Sequence, residues 1–286
     1  MRTTLDCVPC LVRQALEASR FATADPTLQT QVVREALATL VTADYAASPP
    51  ALAQVIHARV RELTGAEDPY KTVKRRLNEV VLDLWSELRE QVLADPDPFA
   101  AALRLAVSGN VIDLGVDGSL TADEIRAALR GALAAPFVGD IERLRGEIRS
   151  AERILYLLDN TGEIVLDRLF ADWLPLGRVT FAVRGGAVVN DVTMADAQAV
   201  GLTQIAQVIS NGSNAPGTVL SDCNQEFRER FRTADLIIAK GQGNYETLSD
   251  ERANIAFLFK VKCSVVADKV GLAEGTHALI WQRDSR

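Results

Sequence analysis

The chain has 286 residues, 48% of them hydrophobic and 24% charged, with 31 Lys and Arg against 38 Asp and Glu for a formal charge of −7. That size and balance fit one or two soluble globular domains and exclude disordered or collagen-like chains. The acidic balance argues against a broad nucleic-acid-binding surface, although a local basic pocket is compatible with it. No apolar run reaches the roughly 18 residues of a membrane span, so no membrane partner is expected. Met1 to Asp6 carry no apolar core of signal-peptide length, and four cysteines are few for such a chain, so a reducing, cytoplasmic location is expected.

Residues 1–97 read as a helical domain. Leu11, Ala15 and Ala18 share one helix face, Val33, Leu37, Leu40 and Val41 a second, and Leu77, Val80, Val81, Leu84 and Leu88 a third. Asp25-Pro26, Ser48-Pro49-Pro50 and Asp68-Pro69 break these helices, and the run Asp95 to Pro98 marks a domain edge. His57 falls on a predicted helix as a surface or packing residue. Lys74-Arg75-Arg76 and Glu226 to Arg232 read as solvated helix faces, the first close enough to Tyr70-Lys71 to leave a substrate contact open.

Residues 98–286 form the second domain, with 101–150 mostly helical and bridging. Apolar runs at Ile154–Leu158, Val179–Val183, Ile205–Ile209, Leu236–Ala239 and Ser264–Ala267 read as buried strands. Helices are predicted at Glu163–Trp173, Ala195–Val200 and Asn224–Phe231 between them. Strand, helix, strand in series predicts an α/β fold: a mainly parallel sheet flanked by helices, behind an N-terminal helical bundle.

Four predicted strands end in small polar clusters: Asp159-Asn160-Thr161-Gly162-Glu163, Arg184-Gly185-Gly186 followed by Asn190-Asp191, Ser210-Asn211-Gly212-Ser213-Asn214, and Lys240-Gly241-Gln242-Gly243-Asn244. In an open parallel sheet these tips share one edge, where ligands bind. Asp159, Asn160 and Asp191 are hard oxygen donors, suited to magnesium or manganese better than to zinc. Glycines let backbone amides approach an anion, and Arg184 and Lys240 are the cations of a phosphate site. Each tip alone would also serve as a turn or helix cap; their coincidence points to a divalent metal beside a phosphorylated small molecule.

Other motifs carry less. Cys7-Val8-Pro9-Cys10 has redox or metal spacing, but Cys223 and Cys263 add no second close pair and read as ordinary buried thiols. Gly241-Gln242-Gly243 lacks the third glycine of a dinucleotide loop, the position being Glu246. Asp113 to Glu124 partly imitates a calcium loop, but Gly115 removes a ligand and a helix capped at Thr121 explains the same residues. Neither a serine-hydrolase elbow nor an ATPase phosphate loop is present.

Together with Ser108-Gly109-Asn110-Val111-Ile112-Asp113, and with Lys240 to Asn244 extended through Tyr245-Glu246, the order and spacing of these clusters resemble the metal-dependent damage-control phosphatases, long catalogued as domain of unknown function 89. The resemblance covers residues 5 to 275, and Cys7 to Cys10 with Lys262-Cys263 is similar to its prokaryotic branch. It implies a helical region packed on a Rossmann-like α/β domain, a metal (magnesium, manganese, cobalt or nickel) held by Asp159, Asn160 and Asp191, and hydrolysis of small phosphate monoesters such as damaged or surplus sugar phosphates. On this reading Arg184, Lys240, Asn211, Gly212, Gly241 and Asn244 bind substrate. Asn110 and Asp113 line the pocket from the helical side, and Asp196 is a weaker candidate. Glu163 orients or deprotonates the attacking water, or supports the site from behind. Metal-activated water is favoured over attack by Asp159, because the Asp-x-Asp-x-Thr pattern of aspartyl-phosphate enzymes is absent. The alternatives are a non-catalytic phosphometabolite-binding protein and, as described for some eukaryotic members, an S-adenosylmethionine-dependent carboxyl methyltransferase. The sequence does not specify the oligomeric state.

Overall fold

Proline opens three of the helices in the first hundred residues, at Pro26, Pro49 and Pro98. The computed structural model describes residues 1–108 and 122–282. It begins with α1 (Cys7–Ala22), α2 (Pro26–Thr42) and α3 (Pro49–Thr64), the latter two opened by proline where no amide is needed. Asp25 Oδ1 accepts from Thr27 N at 2.8 Å to cap α2, and Gly65, at φ 69°, closes α3. There follow α4 (Lys71–Asp83), α5 (Trp85–Ala94), α6 (Pro98–Ser108), α7 (Ala122–Ala134), β1 (Phe137–Val138) and α8 (Ile141–Ser150).

The alternating part comprises β2 (Ile154–Leu157), α9 (Glu163–Phe170), β3 (Val179–Val183), α10 (Met194–Ala199), β4 (Gln207–Ser210), α11 (Gln225–Thr233), β5 (Leu236–Lys240), α12 (Gln242–Leu248), β6 (Ile255–Lys260), α13 (Ser264–Val270) and β7 (His277–Trp281). The sheet order is β1-β7-β6-β5-β2-β3-β4, with β7 antiparallel to β6 and every other pair parallel. From β2 the chain runs outward through β3 to β4, then returns to the other side of β2 as β5 and β6. The reversal makes the carboxyl ends of β2 and β5 the switch point of the sheet, where a ligand crevice forms.

Three apolar clusters hold the molecule. One lies on the sheet face covered by α4–α10 and a second on the face covered by α11–α13. The third is separate and joins α1–α3 through Leu11, Ala15, Val32, Ala36, Leu40 and Ile56. Helices α4 and α5 direct Leu77, Val81, Leu84, Leu88 and Val92 to the sheet, so the core divides near residue 70 and not at the Asp95–Pro98 break.

Two local expectations are corrected. Helix α2 buries Val32, Ala36 and Leu40, whereas Leu37 and Val41 are 46% and 85% exposed. Docking against α1 and α3 selected one of two apolar stripes. Ser264–Ala267 is the first part of α13, which ends at Gly271 with φ 71°; the strands of that region are β6 and β7. Only Val266 of this helix is fully buried, so its paired valines reflect one packing contact and not a strand. Among the described residues no helix is long and apolar enough to cross a membrane.

Candidate functional site

The loop after β2 and the loop after β3 are laced together antiparallel. Asp159 O accepts from Val192 N at 2.8 Å, Thr161 N donates to Asn190 O at 2.9 Å, and Asn160 pairs with Asp191 as an isolated bridge. This places Asp159, Asn160 and Asp191 side by side at the switch point. Asn160 Nδ2 donates to Asp159 Oδ2 at 2.8 Å. Arg184, leaving β3, stands between the two carboxylates: Nε donates to Asp191 Oδ2 at 2.6 Å, and Nη2 lies 3.6 Å from Asp159 Oδ1. Its Nη1 reaches Thr218 Oγ1 and Asn244 Oδ1, each at 3.3 Å. Nη2 is buried with no hydrogen-bond partner among the described residues, an N–H aimed at the carboxylates and available to an anionic oxygen.

The helical region fixes the loop that carries Asp191. Arg61 Nη1 of α3 donates to Ala187 O at 2.9 Å, and Val189 packs against the α1–α3 cluster. Val189 holds φ 44°, a left-handed backbone that a β-branched residue rarely adopts, immediately before Asn190-Asp191. Asn78 of α4 accepts from Gly162 N at 2.6 Å and braces the turn after β2.

Gly241 has φ 81°, and a Cβ there would collide with the Asp159 carboxylate. Gly241→Ala is expected to cost about 1–3 kcal/mol from backbone strain alone and to displace Asp159 as well. Urea unfolding checks this; an alanine variant as stable as the parent would contradict it.

Lys240 and Glu163 lie one layer below. Lys240 Nζ donates to Glu163 Oε1 at 2.5 Å, Asp167 Oδ1 at 2.7 Å and Ala106 O at 2.7 Å, and all three side chains are fully buried. All three ammonium protons are therefore taken, which corrects the expectation that Lys240 meets substrate. Glu163 is likewise fully buried, paired with Lys240, and has no surface to present to solvent. Asn211 Oδ1 accepts Gly185 N at 3.0 Å and Ser213 N at 2.9 Å, so it shapes the β4 tip instead of facing a ligand. Gly212, at φ 81°, packs against Asn224, and Asn244 joins Arg184 and Thr218 to Lys240 O. Asp196 closes a capping box with Thr193 and pairs with Lys74 at 2.8 Å. Lys74 is 2% exposed, not the solvated residue expected. Asn110 and Asp113 lie outside the described residues, as does most of the calcium-like segment.

Charge and burial oppose one another here. Burial pushes Asp191 up to about 7 despite the Arg184 guanidinium, and the Asp159 charge acts in the same direction as burial. Burial likewise raises Glu163 to about 8, against the pull of Lys240. Lys240 is itself held above the usual lysine range, because Asp167 and Glu163 outweigh its own burial. Among the described residues the buried set holds four carboxyl groups (Asp159, Glu163, Asp167, Asp191) and three cations (Lys74, Arg184, Lys240), of which Lys74 is also paired with Asp196. Full ionisation of the carboxyls therefore leaves negative charge in excess.

Among the described residues, those of this site included, no group of three or more His, Cys, Asp and Glu side chains is disposed to hold a metal ion. The Asp159–Asn160–Asp191 set, whose middle member is an amide, is not a set of that kind. All four cysteines are free; Cys223 is buried and Cys263 only partly so. His57 is fully buried and held down to about 4 by that burial. An open depression lined by Arg153, Arg178, Thr180, Gln207 and Arg230 lies at the opposite, amino-terminal ends of β2–β4 and contains none of these residues.

Fold and site together define an α/β protein with hard oxygen donors and an inward guanidinium at its sheet switch point. Residues 3–277 match the damage-control phosphatase ARMT1-like domain. The chain is 36% identical to a damage-control phosphatase of Archaeoglobus fulgidus over 94% of this chain and 95% of that protein. It is 32% identical to one of Pyrococcus horikoshii over 99% of both. The crystal structure of a DUF89 family protein from Pyrococcus horikoshii superposes with a TM-score of 0.89 at 28% identity, covering 99% of this chain and 100% of that one. This chain belongs to the damage-control phosphatase (DUF89) family, and the names its relatives carry support a phosphatase role.

Proposed function

We propose that the protein is a divalent-metal-dependent phosphatase of small phosphorylated metabolites, with Asp159, Asn160 and Asp191 as metal ligands. The observation that carries this reading is the convergence of those three oxygen donors on a buried guanidinium whose Nη2 makes no hydrogen bond among the described residues. Surplus negative charge at the donors fits a divalent cation, and oxygen donors without histidine or thiolate fit magnesium, manganese, cobalt or nickel. Bound there, such an ion supplies Lewis acidity toward a phosphoryl oxygen and a more acidic water. Arg184 donates Nη2 to a second phosphoryl oxygen and stabilises charge that grows on it. Gly241 leaves room for the Asp159 carboxylate. Lys240 and Glu163 support the donors from behind. Sugar phosphates and similar surplus or damaged phosphometabolites are the substrate class proposed, with the reaction sited in the cytoplasm.

The test is phosphate release from a panel of sugar phosphates and nucleotides by EDTA-stripped protein, before and after metal is restored. Metal-restored release supports the reading. Saturable binding of a phosphate ester without release would replace it with a binding protein. Protection by S-adenosylmethionine without release would replace it with a methyltransferase.

The raised carboxyls predict a pH dependence with a definite sign. In the unfolded chain Asp191 and Glu163 ionise near their ordinary values of about 4. In the folded protein they hold protons up to about 7 and about 8. Between these limits the folded state binds more protons than the unfolded, so metal-free stability falls as pH rises. A lower melting temperature at pH 8.5 than at pH 6 is expected without metal. Manganese should narrow the gap, because it binds the deprotonated ligands. Melting curves that rise with pH, or that ignore manganese, would contradict this.

A further inference from the structure

Beneath the oxygen donors lies a group for which the proposed reaction has so far no use. Asp167, one helical turn beyond Glu163 on α9, is completely buried. Its Oδ1 accepts both Lys240 Nζ at 2.7 Å and the Tyr156 hydroxyl at 2.6 Å. Glu163 Oε2 and Asp167 Oδ2 are buried without a hydrogen-bond partner among the described residues. The titratable groups that face the pair are Lys240 from β5 with Tyr156 and Asp159 from β2; α6 brings the Ala106 carbonyl, and α4 brings the Asn78 amide to the adjoining turn.

Two carboxyl groups thus meet one ammonium where water does not reach. If both ionise, a negative charge and two bare oxygens remain buried, which is the costly arrangement for a buried ion set. With one proton kept on the pair, the set of Lys240, Glu163 and Asp167 is neutral. Tyr156 can only donate toward Asp167 while it is protonated, so it favours ionised Asp167 and leaves the proton with Glu163.

We propose that Asp167, oriented by Tyr156, is a positioning residue for hydrolysis at this site: it pins Lys240 and makes Glu163 keep a proton directly behind the metal-ligand donors. A neutral Glu163 keeps an extra negative charge away from an incoming phosphate dianion. Burial raises both carboxyls, in agreement with this geometry. The inference takes its reaction from the phosphatase reading, but the proton is measurable without turnover.

The experiment uses the full chain, labelled with carbon-13 at aspartate or glutamate carboxyls, and follows the carboxylic-acid C=O stretch by infrared spectroscopy from pH 6 to pH 9. The parent is expected to show a buried acid band that moves with the glutamate label at pH 7 and fades at higher pH. Asp167→Asn should lose the band, since one carboxylate then suffices for Lys240. Tyr156→Phe keeps both carboxyls and should move the band to the aspartate label; it decides the matter if Asp167→Asn does not fold. In turnover, Asp167→Asn should lower kcat about tenfold or more with KM within about threefold, and should lose the alkaline fall in kcat that deprotonation of Glu163 produces in the parent. Absence of the band in the parent, or an unmoved label in Tyr156→Phe, overturns the shared proton. A kcat within twofold of the parent in Asp167→Asn overturns the positioning role. A parent that shows the band yet hydrolyses no ester with any metal overturns the phosphatase reading, and with it the catalytic use of Asp167, while the proton assignment stands.

Discussion

Asp159→Ala is expected to release no measurable phosphate, a loss of at least about a thousandfold, because it removes a metal ligand and the carboxylate that faces Arg184. Folding should survive. The backbone carbonyl of Asp159, which holds Val192 N at 2.8 Å, is present in any residue. The Asp159 charge also raises both Asp191 and Glu163, so its removal relieves repulsion in a site with surplus negative charge. The metal-free variant should therefore melt at or above the parent temperature while losing its stabilisation by manganese. Phosphate release and melting curves on the same preparation check both halves. A variant that unfolds would mean that Asp159 serves to hold the turn after β2.

Lys240 is expected to fail in the opposite way. Lys240→Met leaves the ionised Asp167 buried without its counter-charge beside Glu163, a change that costs about 3–5 kcal/mol for a fully buried ion set. The sequence placed Lys240 on substrate, and the structure gives its three protons to Glu163, Asp167 and Ala106 O. Urea unfolding at pH 7 measures the loss, which should shrink at lower pH as Asp167 also becomes protonated. A methionine variant of parental stability with a raised KM for phosphate esters would return Lys240 to the cleft.

What the sequence made legible was position. Hydrophobic runs that end in Asp159-Asn160, Arg184-Gly185, Asn211-Gly212 and Lys240-Gly241 identify strands whose tips share an edge, and topology then does the gathering. Parallel strands are buried on both faces, so their runs are continuous and easy to find. Depth behind the edge was not legible. Lys240 and Arg184 are both basic residues at strand ends, but one points under the sheet edge and the other along it, and only packing decides which. Asp167 and Tyr156 left little trace: a carboxylate one turn after Glu163 on a mostly apolar helix was the single available signal. Lys74 was hidden in a basic triplet of which it is the one buried member. The strands β6 and β7 were missed because the paired valines of α13 drew the reading instead. The apolar run Ala256–Phe259 was the better candidate, having every residue buried.

The central claim is that a divalent ion sits on Asp159, Asn160 and Asp191 and makes this edge of the sheet a phosphatase site. Anomalous diffraction from crystals soaked in manganese locates the ion directly. The account predicts a manganese peak bonded to an oxygen of each of those three side chains, and its loss in Asp159→Ala. A peak bound elsewhere, with manganese-dependent phosphate release intact in Asp159→Ala, would contradict it.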